Sequence, residues 1–279
     1  MLSFASYDGT GLAYRVVGSG EPLVCLPGGA GRAVSYLGDL GGLSAHRTLV
    51  LLDNRGTGAS DVPASADTYR RDRLALDVEA LRRHLGLTRL DVLGHSAGSG
   101  IAMAYAEHFP HNLSSLVLLT PSLRAIGLTP TEQDRAEHLA RHAAQPWHAE
   151  AVAALRAWSA GDDSPHNRLA AARLFYGAWT PAAQEHAAAE DAERSTEAQR
   201  GFSAEGAFSP DHTRRALADL SIPVLVYAGG ADPLSPPHMV RQLAELIPGA
   251  EYAEQPDAGH YPWIDDPDFM VERLAEFLV

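Results

Sequence analysis

Leu90-Asp91-Val92-Leu93-Gly94-His95-Ser96-Ala97-Gly98-Ser99-Gly100-Ile101-Ala102 is the stretch that decides the fold. Residues 90–93 form a short, mostly apolar run that reads as a strand buried on both faces. From Ser99 onward the chain reads as a helix, and Gly100, Ala102 and Ala104 let it lie close to a sheet. Between them Gly94-His95-Ser96-Ala97-Gly98 matches G-x-S-x-G in the strand-turn-helix setting that motif requires. The turn strains the serine backbone, and Gly94 and Gly98 leave room where a Cβ would clash. Ser96 is therefore the candidate nucleophile. His95 reads as a residue that fills the turn.

The same alternation extends outward in both directions. Upstream, residues 12–17 follow an Asp8-Gly9 turn signal and form a hairpin with the segment before it. Apolar runs at 23–26 and 48–52 end at Pro27-Gly28-Gly29 and at Asp53. A helix over 72–84 carries Leu74, Leu76, Val78 and Leu81 and stops at Gly86. Downstream come a helix over 101–108 and a strand over 116–119. Strand and helix alternation predicts an α/β fold with a mainly parallel sheet and helices on both faces. The pattern breaks over residues 123–208, which are rich in Ala, His, Glu and Arg and carry Trp147, Trp158 and Trp179. These aromatics need a surface to bury against, so the segment reads as an inserted helical cap. The α/β pattern resumes with strands at 223–227 and 250–255 and helices at 238–246 and 269–278. The expected division is a core of 1–122 and 209–279 with a cap of 123–208.

Composition excludes several chemistries. A chain of 279 residues with 46% hydrophobic and 20% charged residues reads as one large soluble domain. A formal net charge of -13 repels nucleic acid and anionic membranes, so neither is an expected partner. No apolar run is long enough to span a bilayer. The first residues lack a secretory pattern, and the single Cys25, read as a small core residue, allows no intrachain disulfide. The expected location is the cytoplasm. All 22 basic residues are arginine, which removes the Walker lysine, the pyridoxal-phosphate lysine and a Ser-Lys dyad. Gly28 to Gly31 do not make a dinucleotide fingerprint. His138 and His142 lack a third ligand and read as a surface pair. No metal or cofactor is expected.

A serine hydroxyl needs a base to take its proton. His260 lies in the loop after the last predicted strand, and Asp232 follows the strand over 223–227. In a parallel sheet both reach the edge where Ser96 emerges, and the chain order Ser96, Asp232, His260 is that of α/β-hydrolases. The sequence resembles the α/β-hydrolase superfamily, most of all its proline iminopeptidase-like branch of serine peptidases and esterases. Pro27-Gly28-Gly29-Ala30-Gly31 resembles that branch's His-Gly-Gly-Pro-Gly turn. Asp53-Asn54-Arg55-Gly56-Thr57-Gly58-Ala59-Ser60 resembles its Asp-x-Arg-Gly-x-Gly-x-Ser segment. The resemblance implies that Asp232 orients His260 and that the Gly29 and Ala97 N–H groups form an oxyanion hole.

Two departures bear on the substrate. Pro27 stands where the family has histidine, and Ala30 where it has proline. An aminopeptidase needs carboxylates for the substrate ammonium; Glu190, Asp191, Glu193, Glu197 and especially Glu205 are the candidates. Phe175, Tyr176 and Trp179 are candidate walls of an apolar pocket. The expected activity is hydrolysis of a small molecule or short peptide, as an aminopeptidase or as an esterase, lactonase or perhydrolase-type enzyme. A non-catalytic small-ligand-binding protein on the same scaffold is the alternative of another class.

Overall fold

A computed structural model describes residues 1–278. In chain order the elements are β1 (Leu2–Ala5), β2 (Gly11–Val17), β3 (Pro22–Leu26), β4 (Thr48–Leu52), α1 (Arg71–His84), β5 (Leu90–His95), α2 (Ala97–His108) and β6 (Leu113–Leu119). Seven helices follow without a strand: α3 (Glu132–Ala140), α4 (His148–Ser159), α5 (Pro165–Ala172), α6 (Pro181–Ala188), α7 (Glu190–Glu193), α8 (Thr196–Phe202) and α9 (Pro210–Ala218). Then come β7 (Val224–Gly229), α10 (Pro237–Glu245), β8 (Glu251–Gln255), α11 (Pro262–Asp265) and α12 (Pro267–Phe277).

The eight strands form one sheet in the order β1-β2-β4-β3-β5-β6-β7-β8. The first hairpin and the β2–β4 pair are antiparallel, and every later pair is parallel. Alternation along each strand divides its side chains between two cores. On β3, Leu23 and Cys25 join Met270 and Leu274 of α12, whereas Val24 and Leu26 join α1, α2 and α10. Burial on both faces is why these strands read as unbroken apolar runs. From β3 the chain crosses to β4 on one side; from β5 it moves to β6 on the other. The crevice at that reversal is where open α/β sheets bind ligands. Gly28 and Gly29 leave β3 there, and Ser96 leaves β5.

The helices between β6 and β7 have an apolar cluster of their own, centred on Ala151, Leu155, Ala171, Leu174, Phe175 and Tyr176. The end of this stretch packs differently: Phe202 and Leu217 belong to the core under the sheet. No helix among the described residues is long and apolar enough to cross a membrane.

The segment after β4 is a buried clamp. The Asp53 carboxylate accepts from the Val34 N–H at 2.8 Å and the Ala59 N–H at 3.1 Å. Arg55 is fully buried; its Nε and Nη2 reach the two oxygens of Asp77 on α1, and its Nη1 reaches Asp8 at 2.7 Å. This ties the first hairpin, the β4 loop and α1 together. We expect Asp77→Asn, which leaves a buried guanidinium without its main counter-charge, to lower stability by about 3–5 kcal/mol in urea denaturation. A loss under about 1 kcal/mol would mean that Asp8 alone satisfies Arg55.

Candidate active site

Ser96 occupies the N-cap of α2 with φ +53° and ψ -119°, a conformation few side chains adopt. The turn closes this tightly because its neighbours are glycine. A Cβ on Gly94 would sit 2.6 Å from the Gly98 carbonyl oxygen, and one on Gly98 would run into the Leu26 carbonyl oxygen. The Ser96 N–H donates to the Leu119 carbonyl of β6 at 3.0 Å, and the Ser96 carbonyl accepts from the Ser99 and Ser122 N–H groups, each at 3.0 Å. The backbone is thus fixed on both sides while the side chain faces a cavity of about 240 Å³.

His260 and Asp232 meet at that cavity's edge. His260 Nδ1 lies 2.7 Å from Asp232 Oδ2, and Asp232 is completely buried. The other Asp232 oxygen accepts from the Leu234 N–H at 2.8 Å. With Nδ1–H donated to a carboxylate, His260 presents Nε2 as a proton acceptor. Its backbone is equally constrained. The His260 N–H donates to the Phe175 carbonyl at 2.6 Å. Its own carbonyl accepts from His95 Nε2 at 2.9 Å and from the Thr120 hydroxyl at 3.0 Å. Just before it, the Gly259 N–H donates to Asp265 Oδ2 at 2.8 Å, and the same carboxylate accepts from the Gly177 N–H at 2.9 Å.

Gly29 and Ala97 also line the cavity, and neither N–H has a protein acceptor among the described residues. Their approach is set by a directional chain. The Gly28 N–H donates to the Tyr36 hydroxyl at 2.6 Å, and that hydroxyl lies 2.7 Å from His95 Nδ1. A carbonyl can only accept, so His95 must carry its proton on Nε2 toward His260. Its Nδ1 then accepts from Tyr36. Burial, and next the positive charge His260 can carry, hold the His95 pKa well below the ordinary value, so this tautomer is uncharged. His186 on α6 repeats the pattern, with Nδ1 on the Tyr176 hydroxyl at 2.7 Å and Nε2 on the Tyr36 carbonyl at 3.1 Å. Burial, and then the Arg32 charge, lower its pKa to about 4.

The pocket residues expected from the sequence separate by their surroundings. Phe175 lines the cavity. Tyr176 is buried in the core of the helical segment and spends its hydroxyl on His186, the half-buried Trp179 packs against that core, and neither lines the cavity. Glu205 lies exposed in the turn between α8 and α9, away from the lining. Of the five candidate carboxylates only Glu190 lines the cavity, where it pairs with Arg194 at 2.7 Å. Glu193 pairs with Arg32 at 2.7 Å, and Asp191 with Arg168. His138 and His142 are buried, contrary to the surface reading, because Trp147 folds back onto His142 at 5.3 Å. No group of three potential metal ligands occurs among the described residues. Sequence reading missed Tyr36, Arg32, Trp158, Arg194, Leu234 and Tyr261 at the site; Tyr261 beside His260, Leu234 just after Asp232 and Arg32 just after the Gly28–Gly31 turn carried a positional signal.

A doubly wound sheet with serine, histidine and buried carboxylate at one crevice defines a hydrolase-type α/β protein. The chain belongs to the alpha/beta hydrolase fold family, whose model matches residues 21–267, and its enzymatic character follows from that family. It is 28% identical to a proline iminopeptidase of Clostridium botulinum over 95% of this chain and 93% of that one. The fold is similar to a solved proline iminopeptidase of Mycobacterium smegmatis, with a TM-score of 0.74, 25% identity and coverage of 99% and 97%. It is also similar to an esterase from Exiguobacterium antarcticum, with a TM-score of 0.78, 20% identity and coverage of 99% and 98%.

Two measurements follow from the histidine chains. Tyr36→Phe removes the acceptor of the Gly28 N–H and the donor to His95 together. We expect a loss of about 1–3 kcal/mol of stability and a fall in kcat larger than any change in KM. An unchanged kcat would detach Tyr36 from the site. A histidine whose folded pKa lies below its unfolded value contributes stability fully above about pH 6.5, and the contribution is lost as pH falls toward about 4. Tm is therefore expected to drop between about pH 6.5 and 4, less steeply in His186→Gln. Equal slopes would contradict the assignment.

Proposed function

We propose that this chain is a serine hydrolase of small carboxylic esters, acting through Ser96, His260 and Asp232, with residues 123–208 capping the site. The observation that carries the reading is the 2.7 Å His260–Asp232 pair beside the strained Ser96 turn in one cavity. His260 Nε2 takes the Ser96 hydroxyl proton as Oγ attacks the ester carbonyl carbon. The tetrahedral oxyanion accepts from the Gly29 and Ala97 N–H groups, each worth about 3–4 kcal/mol of barrier. As the carbonyl reforms, the C–O bond to the alcohol breaks and His260 returns the proton to the leaving oxygen. Water, deprotonated by His260, then attacks the acyl-serine and releases the acid. Asp232 holds the tautomer and stabilises the imidazolium.

Ester substrates are favoured over free-amine peptides by the cavity's charges. A substrate ammonium needs an unengaged carboxylate, and Glu190, the carboxylate in the lining, is already paired with Arg194. Aminopeptidase activity is the second reading, supported by the position of Glu190 and by the likeness to proline iminopeptidases.

Ser96→Ala is expected to abolish turnover and labelling by a fluorophosphonate probe; retained labelling would remove Ser96 as nucleophile. A panel of prolyl and alanyl amides against short acyl esters and lactones separates the two activities. We expect esters to be turned over with the higher kcat/KM. Preference for amides, lost in Glu190→Gln, would select the aminopeptidase. Tight binding of a panel member without turnover would select a ligand-binding protein.

A further inference from the structure

The Ser96 cavity is small. At about 240 Å³ it falls short of the roughly 300–1,000 Å³ usual for small-molecule sites. Two further spaces adjoin it through shared wall residues. Trp158 and Leu234, part of its wall, also line a neck of about 180 Å³. Arg135, Leu155 and Ser159 of that neck in turn line a groove of about 510 Å³ between α3 and α4. The three spaces share walls in sequence, and the groove's sides include Ala136, Leu139 and Val152.

One charge along these walls is unspent. Arg135 stands where neck meets groove, and its buried Nε has no hydrogen-bond partner. Of the acidic residues on α3, Glu132 pairs with Arg156 at 3.3 Å and Asp134 with His238 at 3.1 Å, while Glu137 is exposed to solvent. Arg135 itself has no carboxylate within ion-pair distance among the described residues. Burial lowers its pKa, against the raising charges of Asp134, Asp232 and Glu132. Arginine stays protonated even so, and a planar guanidinium is well matched to a carboxylate.

The wall shared by the cavity and the neck lies on the histidine side of the site. Leu234 is two residues from Asp232, and Trp158 packs 5.9 Å from Phe175, whose carbonyl accepts the His260 N–H. In ester hydrolysis the leaving oxygen must face His260 to receive its proton, so the leaving group is the part directed toward that shared wall. We propose that the α3–α4 groove binds the distal end of the substrate's alcohol portion, with Arg135 holding a terminal carboxylate. The preferred substrates are then ω-acyloxy carboxylates, esters formed at the hydroxyl of an ω-hydroxy acid whose carboxylate is free. This rests on the hydrolase reading for the direction of the chain, but the groove and its cation stand apart from Ser96.

The test uses the whole protein with 8-acetoxyoctanoate and ethyl acetate, following acetate release, and with the product 8-hydroxyoctanoate in calorimetry. Arg135→Gln is expected to lower the ratio of kcat/KM for 8-acetoxyoctanoate over ethyl acetate at least ten-fold. It is also expected to weaken 8-hydroxyoctanoate binding at least ten-fold, as is Val152→Trp, which fills the groove without touching the cation. A ratio and a binding constant both within two-fold of wild type in Arg135→Gln would overturn the proposal, as would the absence of 8-hydroxyoctanoate binding to the wild type. If no ester is hydrolysed yet the binding shift is found, the hydrolase reading fails while the groove stands.

Discussion

A single backbone bend carries the arrangement: β5 stops at His95, Ser96 turns to φ +53°, and α2 begins at Ala97. Such a conformation costs roughly 1–3 kcal/mol and persists only where its surroundings hold it. Here they hold it through β6, whose Leu119 carbonyl takes the Ser96 N–H, and through the Leu26 carbonyl pressed against Gly98. The end of β3, the end of β5 and the end of β6 are therefore fixed relative to one another by one turn. The parallel sheet supplies the stiffness, and the bend uses it to lift one hydroxyl clear of the backbone.

Around that bend, two histidines serve as uncharged struts. His95 and His186 each accept from a tyrosine hydroxyl at Nδ1 and donate from Nε2 to a carbonyl. Both struts touch Tyr36, one at its hydroxyl and one at its carbonyl. The loop after β3, the His260 loop and α6 are thus joined through a single tyrosine. A protonated imidazole has no lone pair for a hydroxyl donor, so this architecture depends on burial keeping both rings neutral.

Much of the sheet was legible because burial on both faces writes itself as unbroken apolar runs, as at Leu23 to Leu26. The positions of Asp232 and His260 were legible because loops after parallel strands all emerge at one edge. The helical segment was not. Its helices are alanine-rich, so small side chains on every face leave weak directional information, and Tyr176 and Trp179 turned inward while Phe175 turned to the cavity. Glu205 and Glu190 look alike in sequence; only the fold puts one in solvent and the other beside Arg194. Tyr36 was invisible for a different reason. Its partners, Gly28 and His95, are joined to it only by the meeting of β3 and β5. Arg55 was read as part of a motif, and its work is a buried ion pair with Asp77 and Asp8.

Asp265 and the Phe175 carbonyl stitch the helical segment to the loop holding His260. The helices that help line the site and the loop carrying His260 consequently share their anchoring points. A change in the helices that displaces residues 175–177 acts directly on the imidazole, even though none of those backbone groups meets a substrate atom through these bonds. Exchange of these helices for others of different shape, as in the building of chimeras, therefore has to leave residues 175–177 in place against the histidine loop. The short run from Phe175 through Gly177 belongs to the apolar cluster of the helices and is at the same time the anchor of the histidine loop.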